Sequence, residues 1–162
     1  MSVNIPFIRQ ISWPALFLQF ILIGILIYIF KLSGTSEIFL LTAFTYSISA
    51  MILRNVFAKD HRHGIRLVRQ NKFIEAIPFF ERSVNYFTKN KWIDKFRSLT
   101  LLSSSKMTYK EMGLCNIAFC YSQSGDGSKA KEYYKQVLKE YPQNGLAIAG
   151  LNMLTSVNEN KF

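Results

Sequence analysis

Two long uncharged apolar segments open the chain. The first covers residues 11–30 and the second covers residues 38–53, and neither contains a charged side chain. At a rise of about 1.5 Å per residue, a helix of this length spans the roughly 30 Å hydrocarbon core of a bilayer. The pattern therefore predicts an anchor of residues 1–58 that contains two transmembrane helices, at about 11–31 and 37–57.

Each apolar segment also has an alternative interpretation. The first could be a secretory signal, but it is longer than a usual signal core, and no small-x-small cleavage site follows it. The second, which contains several Ser and Thr residues, could be a buried helix of a soluble protein. Hydroxyl side chains also favour contact between helices in a membrane. Because the second segment follows the first after one tight turn, we favour a transmembrane hairpin.

The remainder of the chain has the periodicity of amphipathic helices. After Lys59, apolar residues recur every three or four positions, with breaks at Asn71, at Ser103–Ser105 and at 124–127. The pattern predicts a helical domain at 59–157, followed by a frayed tail at 158–162. A stripe that includes Trp92, Phe96 and Leu99 predicts a helix near 91–105.

Helix boundaries are also visible in this domain. Thr108 and Glu111 have the spacing of a capping box, which would begin one helix, and Pro142 would end another. No proline interrupts residues 38–70. We therefore expect the second apolar helix to continue directly into the first helix of the domain.

Residues at two places share a further pattern. The first set is Gly64, Leu67, Phe73, Ala76 and Phe80; the second is Leu114, Ile117, Ala118, Tyr121, Ala130, Tyr134, Val137 and Pro142. With these residues in register, 57–90 and 111–144 each resemble a tetratricopeptide repeat, a 34-residue helix–turn–helix unit. The first copy departs from the family pattern at Asp60 and His63, and a 20-residue insert separates the copies.

This resemblance implies a fold. It implies an all-α chain: a two-helix transmembrane hairpin followed by a short tetratricopeptide-like α-solenoid. The solenoid would contain two repeats, an inserted helix and a C-terminal capping helix. Such units bury a continuous core only by stacking on neighbours, so we expect the inserted and final helices to supply additional layers.

The resemblance also implies a binding surface. The family holds peptides in a concave groove lined by the first helix of each repeat. The corresponding residues here are His61, Arg62, Ile65, Val68, Arg69, Met112, Asn116, Phe119 and Gln123. This mixed basic and apolar set suits an acidic-hydrophobic segment of a protein partner. Only Asn116 matches the family's carboxylate clamp, so we do not expect that ligand, and some groove residues could instead pack against the insert or the anchor.

Positive charge is concentrated after the second apolar segment. The formal net charge is +10, and residues 59–110 contain 12 Lys and Arg against 4 Asp and Glu. The positive-inside rule then places both termini in the cytoplasm, a prediction to which Arg9 also contributes. We expect four cations to act as topology signals and contacts for anionic lipid: Arg54, Lys59, Arg66 and Lys72. The bias towards Ile, Phe, Lys and Asn suggests an AT-rich genome, most simply a bacterial one, so we expect the protein in a bacterial inner (cytoplasmic) membrane.

An alternative function follows from the same charge. The basic block at 59–110 could bind anionic lipid or nucleic acid electrostatically. Binding of nucleic acid usually requires exposed aromatic residues between the basic ones. Trp92, Phe96 and Arg97 are the only such group, and an amphipathic stripe explains them better. We therefore expect anionic lipid as a partner and no nucleic acid.

Few residues suggest catalysis or metal binding. Cys115 and Cys120 have the spacing of neither a zinc site nor a redox pair, so we interpret them as packing residues in a reducing compartment. His61 and His63 lie two apart, and we expect them to face solvent or lipid. We therefore expect no enzyme activity, metal or cofactor. The sequence favours a non-catalytic, membrane-anchored adaptor or assembly factor within a larger membrane complex.

Overall fold

The computed structural model describes residues 11–159, with side chains through residue 156. All regular elements within this part of the chain are helices, which confirms the all-α prediction. Arg9 and the end of the predicted tail, residues 160–162, lie outside the described residues. The helices are α1 (Trp13–Leu32), α2 (Ile38–Phe57), α3 (Lys59–Arg69), α4 (Phe73–Lys89), α5 (Lys91–Lys95), α6 (Arg97–Thr100), α7 (Tyr109–Gln123), α8 (Gly127–Glu140) and α9 (Gly145–Glu159).

These helices form two compact units. The hairpin unit contains residues 11–59 and 91–106, and the stack unit contains residues 60–90 and 107–159. The sequence placed the insert within a domain at 59–157. The structure instead groups the insert with the two apolar helices.

The two long helices of the hairpin unit bury two polar residues and expose large apolar ones. Its helices α1 and α2 pack against each other, and both are long and apolar enough to cross a membrane. Gln19 in α1 and Thr42 in α2 are buried, at 8% and 4% exposure. Phe17 and Phe39, in contrast, are 69% and 78% exposed. This distribution is the reverse of that expected for a protein whose surface is in water.

The insert differs from its predicted single helix. It forms two short helices, α5 and α6, that are separated by Phe96 with φ −99° and ψ 28°. Its inward side chains include Ile93 and Leu101, at 3% and 0% exposure. Leu102 has a positive φ of 46°, a conformation that is uncommon for residues other than glycine. Local periodicity did not predict this break because the apolar spacing continues across it.

The predicted continuous helix over 38–70 is also interrupted. Helix α2 ends at Phe57, Ala58 has non-helical angles of φ −112° and ψ 26°, and α3 begins at Lys59. Ala58 is buried at 1% exposure. No proline or glycine marks this junction, so sequence-based boundary signals could not locate it.

The stack unit is built by packing each helix against the next in order. Helix α4 packs on α7, α7 on α8, and α8 on α9. Helix α3 approaches α4 so closely at Gly64 that an added Cβ would lie 2.7 Å from the Phe80 ring. The small residues Ala76, Ala118 and Ala130 have 0% exposure. Small side chains therefore occupy the tightest parts of this unit.

A polar network links α7 to α9. The predicted capping box is present, because the Thr108 hydroxyl accepts from the Glu111 N–H while the Glu111 carboxylate accepts from the Thr108 N–H. Glu111 also accepts a 2.8 Å bond from the Asn144 side-chain amide. The side-chain Oδ1 of Asn144 then accepts from the backbone N–H of Ala147, at 2.8 Å, and so caps α9. These hydrogen bonds therefore connect the start of α7 with the start of α9.

Candidate functional site

A row of arginines lies along one side of α3. Arg62, Arg66 and Arg69 are exposed, and their spacing of four and three residues places them on the same helical face. None of the three forms an ion pair with another residue in the described part of the chain. Each guanidinium is therefore available to an anionic partner. We call these three residues the α3 arginine row.

Partly exposed apolar side chains pack on the core cluster to which α3 contributes. Ile65, Phe73 and Phe119 are partly exposed and pack against one core cluster that includes Val68 and Ile117. The rings of Phe73 and Phe119 meet edge to face, with centroids 6.0 Å apart. Phe119 of α7 is therefore an apolar, partly exposed side chain on the same core cluster that contains Val68 of α3. A ligand that contacted both features would need acidic and apolar groups.

The structure separates the nine predicted groove residues by exposure. Arg62, Arg69 and Gln123 are exposed, and Ile65, Met112, Asn116 and Phe119 are partly exposed. His61 and Val68 are buried, at 6% and 3% exposure. Burial therefore prevents His61 and Val68 from contacting a partner directly. A binding role for the other seven stays a prediction.

His61 is a core residue, and the prediction that both histidines face solvent or lipid is wrong for it. Its imidazole lies edge-on to Phe80 and Tyr109, with ring centroids 5.6 and 5.2 Å away. Its Nδ1 is buried, with no hydrogen-bond partner among the described residues. Desolvation lowers the pKa of His61 to about 4, so the imidazole is neutral near pH 7. The residue at position 61 therefore supplies shape to the core instead of surface charge.

His63 has a different environment two residues later. Its ring stacks on Phe79 at a centroid distance of 4.1 Å. The Arg82 guanidinium lies 4.3 Å from the centroid of the same Phe79 ring, and it also pairs with Asp60 at 3.3 Å. This partly exposed cluster joins α3 to α4. Arg82 already has an acidic partner and an aromatic partner, unlike the α3 arginine row.

The four predicted lipid or topology residues have distinct surroundings. Lys59, Arg66 and Lys72 are exposed, although Lys72 lies 3.6 Å from the Glu75 carboxylate in an exposed pair. Arg54 is partly buried, and it donates from Nε to the backbone carbonyl of Leu101 at 3.0 Å. Arg54 thus has protein partners at the end of α2. Contacts of the four residues with lipid stay a prediction.

Two arginines hold the insert in place. Arg54 donates a second bond to the Leu102 carbonyl, so its planar fork spans two consecutive carbonyls. Arg97 donates to the carbonyls of Asp94, Ser105 and Lys106. Sequence analysis did not identify either role. Only the composition of the segment, with Arg97 between apolar residues, hinted at a structural arginine.

The two thiols are inert in this fold. Cys115 and Cys120 are unpaired and buried, at 5% and 0% exposure. The pKa of each thiol is raised to about 12, mainly by burial, and for Cys115 the nearby Glu111 carboxylate contributes to the rise. Both pack in the core as predicted. Among residues 11–159, no group of three His, Cys, Asp or Glu side chains is arranged to hold a metal ion.

Comparison of the chain with protein-family models, with curated proteins and with solved structures found no match.

Proposed function

We propose that this protein is a non-catalytic, membrane-anchored adaptor or assembly factor that binds a protein partner. The hairpin would fix it in a bilayer, with both termini on the cytoplasmic side. The stack unit would act as a short tetratricopeptide-like solenoid at that surface. Assignment to the inner membrane of a bacterium and membership of a larger complex belong to the same proposal.

The reversed burial of the hairpin unit supports its insertion in a membrane. Gln19 and Thr42 face inward, while large apolar side chains such as Phe17, Phe20 and Phe44 are more than half exposed. Water would penalise such a surface, whereas lipid tails would solvate it. Polar side chains within membrane helices normally face another helix instead of lipid, and the burial of these two fits that rule.

The α3 arginine row is the observation on which the binding proposal depends. Three exposed arginines without acidic partners lie on α3, and Ile65 of this helix packs against the same core cluster as Phe119 of α7. Arginine and aromatic side chains are enriched at protein interfaces. The partner segment would supply carboxylates to the row and apolar side chains to Ile65 and Phe119. The order of helices and the small residues at their contacts are compatible with a tetratricopeptide-like arrangement.

Site-specific photo-crosslinking of the full-length protein in cells tests this proposal. A photo-reactive residue at position 119 should capture one specific protein, whereas the same residue at exposed position 132 on α8 should not. Reversing Arg62 and Arg69 to Glu should prevent capture at 119. The matched control is reversal of Lys135, an exposed cation on α8, which should leave capture intact. Similar capture at both positions, or capture unaffected by the arginine reversals, would contradict the proposed surface.

Electrostatic binding to anionic lipid is the second candidate function. The same unpaired arginine row favours it, and its first member follows the end of α2 by only a few residues. Crosslinking at position 119 would then yield lipid or nothing. Purification at low and high salt separates the two functions, since binding through phosphates is steeply salt-dependent. A protein partner held by apolar contacts should remain bound at high salt.

A further inference from the structure

The insert has an exposed apolar face. Trp92, Phe96 and Leu99 are 60%, 51% and 44% exposed, and they recur at spacings of four and three residues. Two lysines on the same short segment, Lys91 and Lys95, are also exposed. The opposite side contains the buried Ile93 and Leu101 noted above. The pair α5–α6 is therefore amphipathic, and its apolar side is exposed.

The insert is attached at one particular end of the hairpin. The Ser12 N–H donates to the Ser104 carbonyl at 2.9 Å, and Ile11 forms an antiparallel backbone bridge with Ser105. Ser12 directly precedes α1, and Arg54, which also binds the insert, lies in the last turn of α2. Both attachments are thus at the end where α1 begins and α2 finishes. In a membrane-spanning hairpin, this end lies where the helices leave the hydrocarbon.

The composition of the exposed face fits that level of a bilayer. Tryptophan is enriched at membrane–water interfaces, where its ring is partly apolar and its N–H contacts polar groups. Lysines beside such a face attract anionic headgroups. The Lys95 Nζ lies 5.7 Å from the centroid of the Phe96 ring, so the charge and the apolar surface are adjacent. Trp13, 80% exposed at the start of α1, belongs to the same end of the hairpin.

We propose that α5–α6 is an interfacial anchor that inserts Trp92, Phe96 and Leu99 among anionic phospholipid headgroups. It adds a third membrane contact to the two spanning helices. This inference rests on the proposed membrane insertion of α1 and α2. Arg54 and Ser12 attach the insert to the hairpin end, so the insert stays at the lipid surface where the spanning helices leave the hydrocarbon.

The two tryptophans of the chain provide a direct test. Replacing Trp13→Phe leaves Trp92 as the only tryptophan, and replacing Trp92→Phe leaves Trp13; both sites are exposed, so neither change disturbs a core. Each full-length variant is reconstituted into phosphatidylglycerol–phosphatidylcholine vesicles that contain phosphatidylcholine brominated either near the headgroup or near the bilayer centre. Trp92 emission should be quenched more strongly by the shallow bromines than by the deep ones, and acrylamide should quench it weakly.

The Trp92→Phe variant, which retains Trp13, distinguishes failure of this inference from failure of the proposed function. If bromines quench Trp13 but not Trp92, the hairpin is inserted and the interfacial anchor is disproved. If neither tryptophan is quenched, the membrane-anchored function itself fails. If Trp92 is protected from both bromines and acrylamide, a protein surface such as a second copy covers it, which also overturns the anchor.

The lysines test the anionic part of the inference. Changing Lys91→Gln and Lys95→Gln in the variant that retains Trp92 should reduce its quenching by shallow bromines. Omitting phosphatidylglycerol should have a similar effect on the unaltered lysines. The control is Trp13 quenching in the same vesicles, which should not change. Equal Trp92 quenching with and without the lysines would show that anionic headgroups do not hold this face.

Discussion

Replacing Gly64 by alanine tests a close helix contact in the stack unit. The new Cβ would lie 2.7, 2.8 and 3.0 Å from three ring carbons of Phe80. Carbon atoms pack best at about 3.5–4.0 Å, so the ring would have to move by roughly 1 Å. Phe80 has 0% exposure and is enclosed by core residues, so it has little room to move. Alanine at 64 should therefore overpack the contact between α3 and α4.

The expected magnitude combines two opposing effects. Overpacking of a dense core costs about 1–3 kcal/mol. Alanine stabilises a helix interior by about 1 kcal/mol relative to glycine. We expect a net decrease of about 1–2 kcal/mol in the free energy of unfolding, which raises the open population by a factor of about 5–30.

The buried thiols provide the assay. Cys115 and Cys120 are the only cysteines of the chain, and both are in the stack unit. A thiol reagent reaches them only when the unit opens, so the labelling rate of full-length protein in detergent micelles reports the open population. Gly145→Ala is the control, because its Cβ would meet nothing within 4 Å. This control should label at the wild-type rate or more slowly.

Two outcomes would refute the reasoning about Gly64. One is a Gly64→Ala protein that labels no faster than wild type. The other comes from a double-mutant cycle with Phe80→Leu, which removes the ring that alanine would strike. If the contact is as described, Gly64→Ala should cost less in the Phe80→Leu background than in the wild type. An equal cost in both backgrounds would show that the destabilisation has another origin.

Three further predictions concern other parts of the molecule. Ala130→Leu should overpack its fully buried site and lower the free energy of unfolding by about 1–3 kcal/mol. The same thiol labelling measures this change, and an unchanged labelling rate would place Ala130 outside a helix contact. The pKa of His61 is 6.5 in the unfolded chain and about 4 in the folded one, so the unfolded chain binds more protons between these two pH values. The free energy of unfolding should therefore fall by about 3 kcal/mol as the pH decreases from 6.5 to 4. This contribution to the slope should be lost in His61→Leu and persist in His63→Gln. Arg54→Lys should lose the forked contact with two carbonyls and accelerate hydrogen exchange in residues 97–105, whereas Arg62→Lys should not.

Features that depend on neighbouring residues were predictable from the sequence. The capping box at Thr108 and Glu111 uses atoms three residues apart, and it forms as expected. The length of an uncharged apolar segment identifies a helix long enough to span a bilayer, and α1 and α2 have that length. The break at Asn71 coincides with a positive φ of 59°, which asparagine tolerates. In each case, a few consecutive residues contain the determining interaction.

The tertiary structure decided which helical faces meet and which residues reach the surface. Arg54 binds a carbonyl 47 residues later, and this contact assigns the insert to the hairpin instead of the stack. His61 and Arg62 are adjacent in sequence, but the approach of Phe80 and Tyr109 buries only His61. Gly113, where an added Cβ would lie 2.6 Å from Val84, has no local signal for its close contact. Periodicity reveals that a helix has an apolar face, but packing between distant segments determines what covers that face.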